Sequence, residues 1–443
     1  MSNKWYIIIL LIIGLATHFI FFGRPNSTVF DEVHFGKFVS AYYTHQYYYD
    51  IHPPLGKLMI AGFARLFDFK PEFSFTEIGE KFPDNKYMVL RFLPSLAGSL
   101  LPLIIFLLAL KLNLKPFSAF MAGLFVALDN ALLTQTKFIL MDGFLYLFGF
   151  SSLIFYFRAR KKEGNLWLNL FLFSILSAFA ASIKWTGLTF LALAGLCELS
   201  RFWRTRFNLV QVSRSILFFV IIPLFVYFSI FAIHFSLLTK TGTGNAFMKP
   251  EFQKTLEGNA YEENDSIKPY GILGKFYDLN LQMYLGNQRL TASHPYGSQW
   301  YTWPLMSRPI YYWVNNQARI YFLGNPVIWW PSTVAVLMLI IGYLTNKEER
   351  NKITSFLLAG YAINLLPFIG IKRVMFLYHY AVALIFAILM LAYLIDKEKN
   401  YKKIFWILVV LAALSFIFFS PLTYGFPLTP NEYNNRTWFN GWI

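Results

Sequence analysis

Long apolar runs separated by short polar breaks form the pattern of this 443-residue chain. The runs match the thickness of a bilayer, and a water-soluble fold would have nothing against which to bury so many of them. We therefore predict an all-α polytopic membrane protein with about eleven transmembrane helices. The predicted spans are Tyr6–Phe22, Leu90–Leu110, Phe117–Leu133, Phe138–Phe157, Leu166–Ser182, Thr186–Ser200, Ile216–Leu238, Phe322–Leu344, Ser355–Ile371, Phe376–Ile395 and Ile404–Ser420.

Two connections between these spans, residues 23–89 and 239–321, are too long to be simple turns. They predict three parts in the chain. An N-terminal transmembrane module (1–238) contains the first connection, the second connection (239–321) follows it, and a C-terminal transmembrane module with a tail (322–443) completes the chain.

Apolar positions within residues 23–89 predict two helices. One apolar stripe with helical spacing begins at Phe35 and a second begins at Leu55, with Lys57 on the opposite side of the second stripe. Amphipathic segments of this kind lie along a membrane surface rather than across it. We therefore predict two interfacial helices in the first long connection.

Lys and Arg are concentrated in alternate short connections. Because cytoplasmic loops carry an excess of Lys and Arg, this asymmetry predicts a cytoplasmic N-terminus. Both long connections and the C-terminus then lie on the outer side, in a multi-pass protein of the plasma (inner) membrane. The basic connections are residues 111–115, 158–162, 201–206, 346–352 and 396–403.

Composition narrows the function classes. The chain is 56% hydrophobic and 14% charged, with a formal net charge of +16. Basic loops facing anionic lipid account for much of this charge, so no nucleic-acid partner is expected. The single cysteine, Cys197, excludes a disulfide framework and a metal site built on paired cysteines. We predict no metal ligands and leave a divalent-metal requirement open.

Polar residues of the predicted spans collect toward the outer side. Ionisable groups at membrane depth are costly and usually face a protein interior or a wet cavity. We therefore predict a cavity open to the outer face, with the adjacent acids Asp31 and Glu32 at its rim. The other candidate residues are His52, Arg91, Asp129, Asn130, Asp142, Lys184, Arg308, Lys372, Arg373 and His379.

Several of these residues also have a purely structural interpretation. Asp31 could cap the helix that follows it, while Glu32 complements the helix dipole. The cations could extend toward lipid headgroups. Asp142, placed about one turn into the fourth span, could pair with Lys137.

Taken together, the candidates fit transfer of a sugar from a lipid phosphate to a hydroxyl group. Such a reaction needs a base for the acceptor proton and cations for the departing phosphate. Acids beside outer cations provide both. The sequence contains no glycine-rich phosphate loop that would indicate a nucleotide donor.

Several segments then resemble one known family. The first long connection contains "FDEVHFGKF" (30–38) and "YYYDIHPPLGKLMIAG" (47–62), and "LDNALLTQTKFILMD" (128–142) and "HPYGSQWYTWPLMSRPIYYW" (294–313) follow in order. This series resembles the protein O-mannosyltransferases, which are membrane glycosyltransferases of the GT-C type. The resemblance covers most of the chain.

The resemblance implies inverting transfer of mannose, or a related sugar, from a polyprenyl- or dolichyl-phosphate carrier to Ser or Thr of exported proteins. Asp31 would be the base, Glu32 would support a substrate, and Arg91 would bind the lipid phosphate. The further residues implied in binding the donor phosphate or sugar are His52, Lys184, Arg308, Lys372, Arg373 and His379, with Asp129, Asn130 and Asp142 in support.

One departure keeps other functions open. Residues 239–321 are too few for the β-trefoil domain that eukaryotic members carry in this connection. A glycolipid or envelope glycan could therefore replace the protein acceptor. A transporter of a lipid-linked precursor is the alternative from another class, and it should tolerate loss of the Asp31 carboxylate better than an enzyme would.

Overall fold

The protein is a bundle of α-helices with one small β-hairpin. The computed structural model describes residues 3–203, 208–289 and 293–443, so residues 204–206 of one predicted basic connection lie outside the described part. The strands are β1 (Ile310–Asn315) and β2 (Ala318–Phe322). The helices are α1 (Asn3–Phe19), α2 (Glu32–Thr44), α3 (Leu55–Ala64), α4 (Tyr87–Lys111), α5 (Pro116–Ala127), α6 (Asn130–Thr136), α7 (Asp142–Arg160), α8 (Leu166–Ile183), α9 (Leu188–Phe202), α10 (Leu209–Ile216), α11 (Ile222–Leu237), α12 (Pro250–Gln253), α13 (Ile272–Arg289), α14 (Pro326–Thr345), α15 (Lys352–Leu365), α16 (Ala381–Asp396), α17 (Tyr401–Tyr424) and α18 (Pro430–Asn434).

Every predicted span coincides with helical structure. Within the described residues, seven helices are long and apolar enough to cross a membrane, and the bent pair α5–α6 would make eight. The helices α1, α7 and α9 are shorter or less apolar. A polytopic membrane protein is therefore confirmed, whereas the count of eleven spans stays a prediction.

The third predicted span is interrupted rather than continuous. The axis bends by 63° between α5 and α6. Asp129 begins the new helix, since its side chain accepts a hydrogen bond from the backbone N–H of Leu132 at 2.9 Å. Its second carboxylate oxygen accepts from the N–H of Asn325 at 3.1 Å. Asp129 therefore stabilises a turn between two helices.

The two helices predicted in the first long connection are present, but only one buries the expected face. In α2 the predicted apolar stripe beginning at Phe35 is mostly buried. In α3 the face is reversed, because Lys57 is buried whereas Leu58 is partly exposed. Apolar side chains of a membrane protein can face lipid, which leaves a polar side chain free to face the protein interior. Apolarity alone therefore does not identify the buried face.

Helix α16 forms the centre of the bundle. Nearly all of its residues are buried, and α14, α15 and α5 pack around it. A helix that is apolar on every side is stable only when it is surrounded. The remaining helices lie around α16 and expose many apolar side chains, as a lipid environment requires.

The two ends of the bundle differ, and one of them is marked by contacts that basic residues make. Lys111 pairs with Glu163, and Lys397 pairs with Glu349 at 2.6 Å. Lys115 hydrogen-bonds to the backbone of Asp396. These contacts join predicted basic connections at one end, which we call the basic end. The end that carries α2, α3 and the β-hairpin is called the Asp31 end.

The second long connection is more ordered than a loop. It contains the 18-residue helix α13 and the antiparallel hairpin β1–β2, in which Ile310 pairs with Phe322. A bulge lies between Tyr311 and Trp313. Both elements lie at the Asp31 end, where α13 packs against α11.

Candidate active site

A cavity of about 360 Å³ lies at the Asp31 end of the bundle. Five residues predicted from the sequence line it, and they come from four separate parts of the chain. The structure therefore brings together side chains that lie far apart in the sequence. These five residues are His52, Asp142, Lys184, Arg373 and His379.

Asp142 pairs with Lys184, so the predicted pairing with Lys137 is wrong. The Lys184 Nζ lies 2.9 and 2.8 Å from the two carboxylate oxygens, and Gln135 donates to one of them at 2.8 Å. Lys137 instead places its Nζ 4.4 Å from the centre of the Tyr424 ring. Asp142 is also the first residue of α7 rather than one turn inside a helix. The positive end of the helix dipole favours a carboxylate at this position.

Arg373 brings a positive charge that no carboxylate neutralises. Its Nη1 donates to the side-chain oxygen of Asn287, and its Nη2 lies 3.3 Å from Nε2 of His379. No ion pair involves Arg373 among the described residues. A guanidinium group in this state can bind an anion through two parallel hydrogen bonds.

His52 lies next to a buried ion pair that the sequence interpretation missed. Lys57 pairs with Asp50 and also donates to the backbone oxygen of His52 at 2.9 Å. The backbone N–H of His52 donates to Asp50 at 3.2 Å. Burial lowers the pKa of His52 well below its ordinary value, with nearby cations adding to the effect. The imidazole is therefore neutral near pH 7.

Asp31 is the N-cap residue of α2, yet its side chain makes no capping hydrogen bond. Within the described residues, no hydrogen bond or ion pair involves this carboxylate. Burial raises the pKa of Asp31 to about 6, against the opposing charges of His34 and Lys184. The geometry therefore does not support the capping interpretation, and the carboxylate is available to a ligand.

The residue before Asp31 connects this part of the chain to the wall of the cavity. Phe30 has a φ of 49°, a left-handed conformation that is costly for a residue other than glycine. Its ring stacks on Tyr312 of β1 at 4.0 Å, and its N–H donates to the Tyr312 backbone oxygen at 3.0 Å. The same ring contacts Tyr378, which lines the cavity. The hairpin therefore fixes the chain next to Asp31.

Glu32 and Arg91 form a fully buried ion pair. The Nε and Nη2 of Arg91 donate to the two oxygens of Glu32 at 2.7 and 2.6 Å. Glu32 also accepts from the backbone N–H groups of Val29 and Ile139 at 2.8 and 2.9 Å. Four hydrogen bonds therefore hold the residue next to Asp31 in place.

The remaining donors of Arg91 are also occupied. Its Nη1 donates to the backbone oxygen of Pro25 at 2.7 Å, and its Nη2 donates to that of Ser27 at 2.8 Å. Its side chain is 1% exposed. No guanidinium nitrogen is left for a ligand, so the structure offers no preformed contact between Arg91 and the predicted lipid phosphate.

Neither Asp31 nor Glu32 is among the residues that line the cavity, so the predicted rim of two acids is wrong. Arg91 and four other predicted site residues do not line the cavity either. Arg308 donates to the backbone oxygens of Pro295 and Gly441 at 3.0 and 3.3 Å. Asn130 donates to Thr423 at 2.9 Å, and Lys372 is exposed. With Asp129 at its turn, these side chains have structural or surface positions.

The cavity also includes residues that sequence reasoning missed. Asn287 and Gln288 of α13 form part of its wall. The helical spacing of buried Leu279 and Met283 could have revealed α13, but no local signal marks the two amides as site residues. Among the described residues, no group of three or more His, Cys, Asp or Glu side chains could hold a metal ion.

Two family descriptions match consecutive parts of the chain. Residues 8–239 match the family described as dolichyl-phosphate-mannose-protein mannosyltransferase. Residues 272–442 match the C-terminal four-transmembrane region of protein O-mannosyltransferase. The first match covers the Asp31 segment and the second covers Arg373.

Two curated relatives illustrate how much is shared. Protein O-mannosyltransferase 1 of Drosophila melanogaster is 34% identical over 261 residues, which are 56% of this chain and 30% of the relative. Dolichyl-phosphate-mannose–protein mannosyltransferase 1 of Saccharomyces cerevisiae is 22% identical over 658 aligned positions, covering 94% of this chain and 80% of the relative. The match therefore spans about a third of the insect protein and most of the yeast protein.

Solved structures share the fold. The S. cerevisiae protein O-mannosyltransferase Pmt1–Pmt2 complex, bound to the sugar donor, aligns with a TM-score of 0.92 at 20% identity, covering 100% of this chain and 93% of that one. ArnT from Cupriavidus metallidurans aligns with a TM-score of 0.52 at 14% identity, covering 90% and 61%. The arrangement of helices is therefore that of the GT-C membrane glycosyltransferases.

Proposed function

Because this chain belongs to the dolichyl-phosphate-mannose-protein mannosyltransferase family, we propose that it transfers mannose from a dolichyl- or polyprenyl-phosphate carrier to hydroxyl groups of Ser and Thr in proteins. The unpaired carboxylate of Asp31 carries this proposal. It interacts electrostatically with Lys184 and Asp142, which line a cavity that also has aromatic side chains in its wall, as a phosphorylated sugar would require.

Three carboxylates near Asp31 each form an ion pair with a cation, and Asp31 does not. Glu32 pairs with Arg91, Asp50 with Lys57 and Asp142 with Lys184. A carboxylate engaged with a cation is a weak proton acceptor, and a general base needs a free oxygen. Asp31 meets this requirement, and its pKa of about 6 makes it a stronger base than an ordinary aspartate.

The reaction that we propose is a direct displacement. Asp31 takes the proton of the acceptor hydroxyl while the hydroxyl oxygen attacks the anomeric carbon. The bond between that carbon and the phosphate oxygen breaks, and the lipid phosphate leaves with the bonding electrons. Attack from the side opposite the phosphate inverts the anomeric configuration.

We propose that Arg373 binds the donor phosphate, with Lys184 as a second cation. Arg373 has no carboxylate partner among the described residues, and both residues line the cavity. Charge develops on the phosphate as it leaves, and fixed cations stabilise it there. Arg91 then acts through Glu32 to position Asp31 rather than contacting the donor.

The orientation of the protein follows from its two ends. We propose that the basic end faces the cytoplasm and the Asp31 end faces the outer side, since cytoplasmic loops are rich in Lys and Arg. In a Cys197→Ala background, an impermeant thiol reagent should label Ser74→Cys in intact cells and should not label Lys399→Cys. Both positions are exposed in the structure. The reverse labelling would refute this orientation.

Product analysis tests the activity directly. The purified protein is incubated with dolichyl- or polyprenyl-phosphate mannose, Ser/Thr peptides and a glycolipid acceptor, and products are identified by mass spectrometry. We expect a hexose on a peptide hydroxyl, with an anomeric configuration inverted from that of the donor, and far less of this product with Asp31→Asn. If hexose appears on the glycolipid alone, the acceptor is a glycolipid rather than a protein. If the lipid-linked sugar moves across a vesicle membrane without transfer, the protein is a transporter.

A further inference from the structure

A second cavity at the Asp31 end is unusual in its polarity. Its volume is about 730 Å³, and it shares no lining residue with the first cavity. No Asp or Glu is among its lining residues, all of which lie in the described part of the chain. We call it the amide cavity. Its distinctive side chains are two cations and four amides: Arg24, Lys81, Asn26, Asn315, Asn316 and Gln317.

The cations of the amide cavity are available to a ligand. Lys81 is exposed, and within the described residues its side chain makes no hydrogen bond or ion pair. Arg24 makes one long hydrogen bond, from Nη2 to the backbone oxygen of Gly425 at 3.5 Å. Within the described part of the chain, this positive charge therefore has no ion-pair partner, which favours an anionic ligand.

The amide cavity lies where transmembrane helices end. Arg24 follows α1, and Gly425 follows α17 directly. Ile20 and Phe21, between α1 and Arg24, are 67% and 38% exposed. Apolar side chains followed by a cation match the order of acyl chain and phosphate in a lipid leaflet. The Arg24 guanidinium lies 4.6 Å from the ring centre of Phe426, which keeps the charge at this level.

We propose that the amide cavity binds the headgroup of an anionic phospholipid. The phosphate interacts with Arg24 and Lys81, while the amides of Asn315 and Gln317 bind headgroup hydroxyls. Amides both donate and accept hydrogen bonds, so they suit a hydroxylated headgroup such as glycerol. The exposed apolar side chains of Ile20 and Phe21 contact the acyl chains.

The amide cavity shares a segment of backbone with the frame of the active site. Its wall includes Pro25 and Ser27, whose backbone oxygens accept the hydrogen bonds of Arg91. Trp313, another wall residue, donates to the side chain of Ser27 at 2.9 Å. A bound lipid would therefore order the segment that holds Arg91, and through it Glu32. Any effect of this ordering on turnover rests on the proposed function, whereas the binding of the lipid does not.

Native mass spectrometry of the whole protein tests the binding. We compare phosphatidylglycerol with phosphatidylcholine for the unmodified protein and for Arg24→Ala/Lys81→Ala. Because each cation near a membrane surface contributes to attraction of anionic lipid, the double variant should bind phosphatidylglycerol about tenfold more weakly. Lys70→Ala/Lys86→Ala is the matched control, with the same charge loss on exposed residues of the same connection that do not line the cavity. If the control variant weakens phosphatidylglycerol binding as much as Arg24→Ala/Lys81→Ala does, the proposal is overturned.

Further arms identify the ligand and guard against misfolding. Lys81→Glu reverses one exposed charge that has no side-chain partner in the described residues, so it should weaken phosphatidylglycerol binding without lowering thermal stability. Glycerol phosphate and inorganic phosphate should compete poorly, since they lack acyl chains. If either compound binds as tightly as the lipid and displaces it, the assignment of a lipid ligand is overturned. Preferential binding of an acidic oligosaccharide or peptide would overturn it as well.

Discussion

Ion pairs at the two ends of the bundle differ in burial and therefore in consequence. At the basic end, Lys397 and Glu349 pair with 35% and 26% of their side chains exposed. At the Asp31 end, Arg91 and Glu32 pair with 1% and 0% exposed. Exposed pairs contribute little to stability, whereas breaking a buried pair leaves a charge without compensation.

This difference shows how one reactive acid is kept apart. The buried pairs at the Asp31 end neutralise Glu32, Asp50 and Asp142 and fix the backbone around them. Asp31 is left unpaired within that frame. The exposed pairs of the basic end only connect loops. If this contrast is correct, substitutions at the two ends should differ in kind as well as in size.

The largest effect should come from Asp31→Asn. This change removes the base while keeping the size of the side chain, so turnover should fall by about 10²–10⁴-fold. Stability at pH 7 should be unchanged or higher, because burial disfavours the charged carboxylate. Asp68→Asn, at an exposed acid of the same connection, is the control. A folded Asp31→Asn protein with ordinary turnover would remove Asp31 from the mechanism.

Next in size is the loss of stability on breaking the buried pair. Arg91→Met leaves Glu32 buried without its cation and should cost about 3–5 kcal/mol in the free energy of unfolding. Lys397→Ala at the basic end should cost less than about 1 kcal/mol. Thermal unfolding in one detergent compares them, and adding Glu32→Gln to Arg91→Met should recover part of the loss. If Arg91→Met and Lys397→Ala lower the free energy of unfolding by the same amount, the contrast between the two ends is wrong.

The pH dependence of transfer should report the unpaired carboxylate. Since the pKa of Asp31 is raised to about 6, the base is protonated and inactive below that pH and ionised above it. The rate should therefore fall about tenfold for each pH unit below 6, at constant folded fraction. The residual rate of Asp31→Asn should lack this step. A profile that stays flat down to pH 4.5 would contradict the assignment.

A smaller effect is expected for Arg373→Lys. The substitution keeps the charge but loses the paired hydrogen bonds that guanidinium makes to phosphate. The KM for the lipid donor should rise about tenfold while the KM for the acceptor changes little. Lys372→Ala is the matched control, since this neighbouring cation is exposed and does not line the cavity. If the two variants behave alike, the phosphate site lies elsewhere.

Much of the architecture follows from the sequence alone. Helical structure occurs at every predicted span, the first long connection contains two helices, and α2 buries the stripe that begins at Phe35. These features depend on residues close together in the chain, so periodicity and apolar run length reveal them. The cost of charge in lipid also predicted a cavity among the polar residues, and five of the candidates line one.

Contacts between distant segments could not be predicted in the same way. Periodicity placed Lys57 opposite the apolar stripe of α3, and the structure buries this lysine with Asp50 instead of the stripe. Nearness in the sequence suggested Lys137 as a structural partner of Asp142, whereas the structure pairs Asp142 with Lys184, 42 residues away. In a membrane protein an apolar face can meet either lipid or protein, so the pattern does not say which side is internal.

The sequence by itself determined that this chain is a polytopic helical protein with a pair of acids next to a predicted interfacial helix. Only the tertiary structure decided which acid of that pair is available. Local sequence makes both Asp31 and Glu32 candidates, but Arg91 reaches Glu32 from a separate helix and leaves Asp31 unpaired within the described residues. The ionic partner of a buried carboxylate depends on which helices pack together, and that packing is set by contacts across the whole bundle.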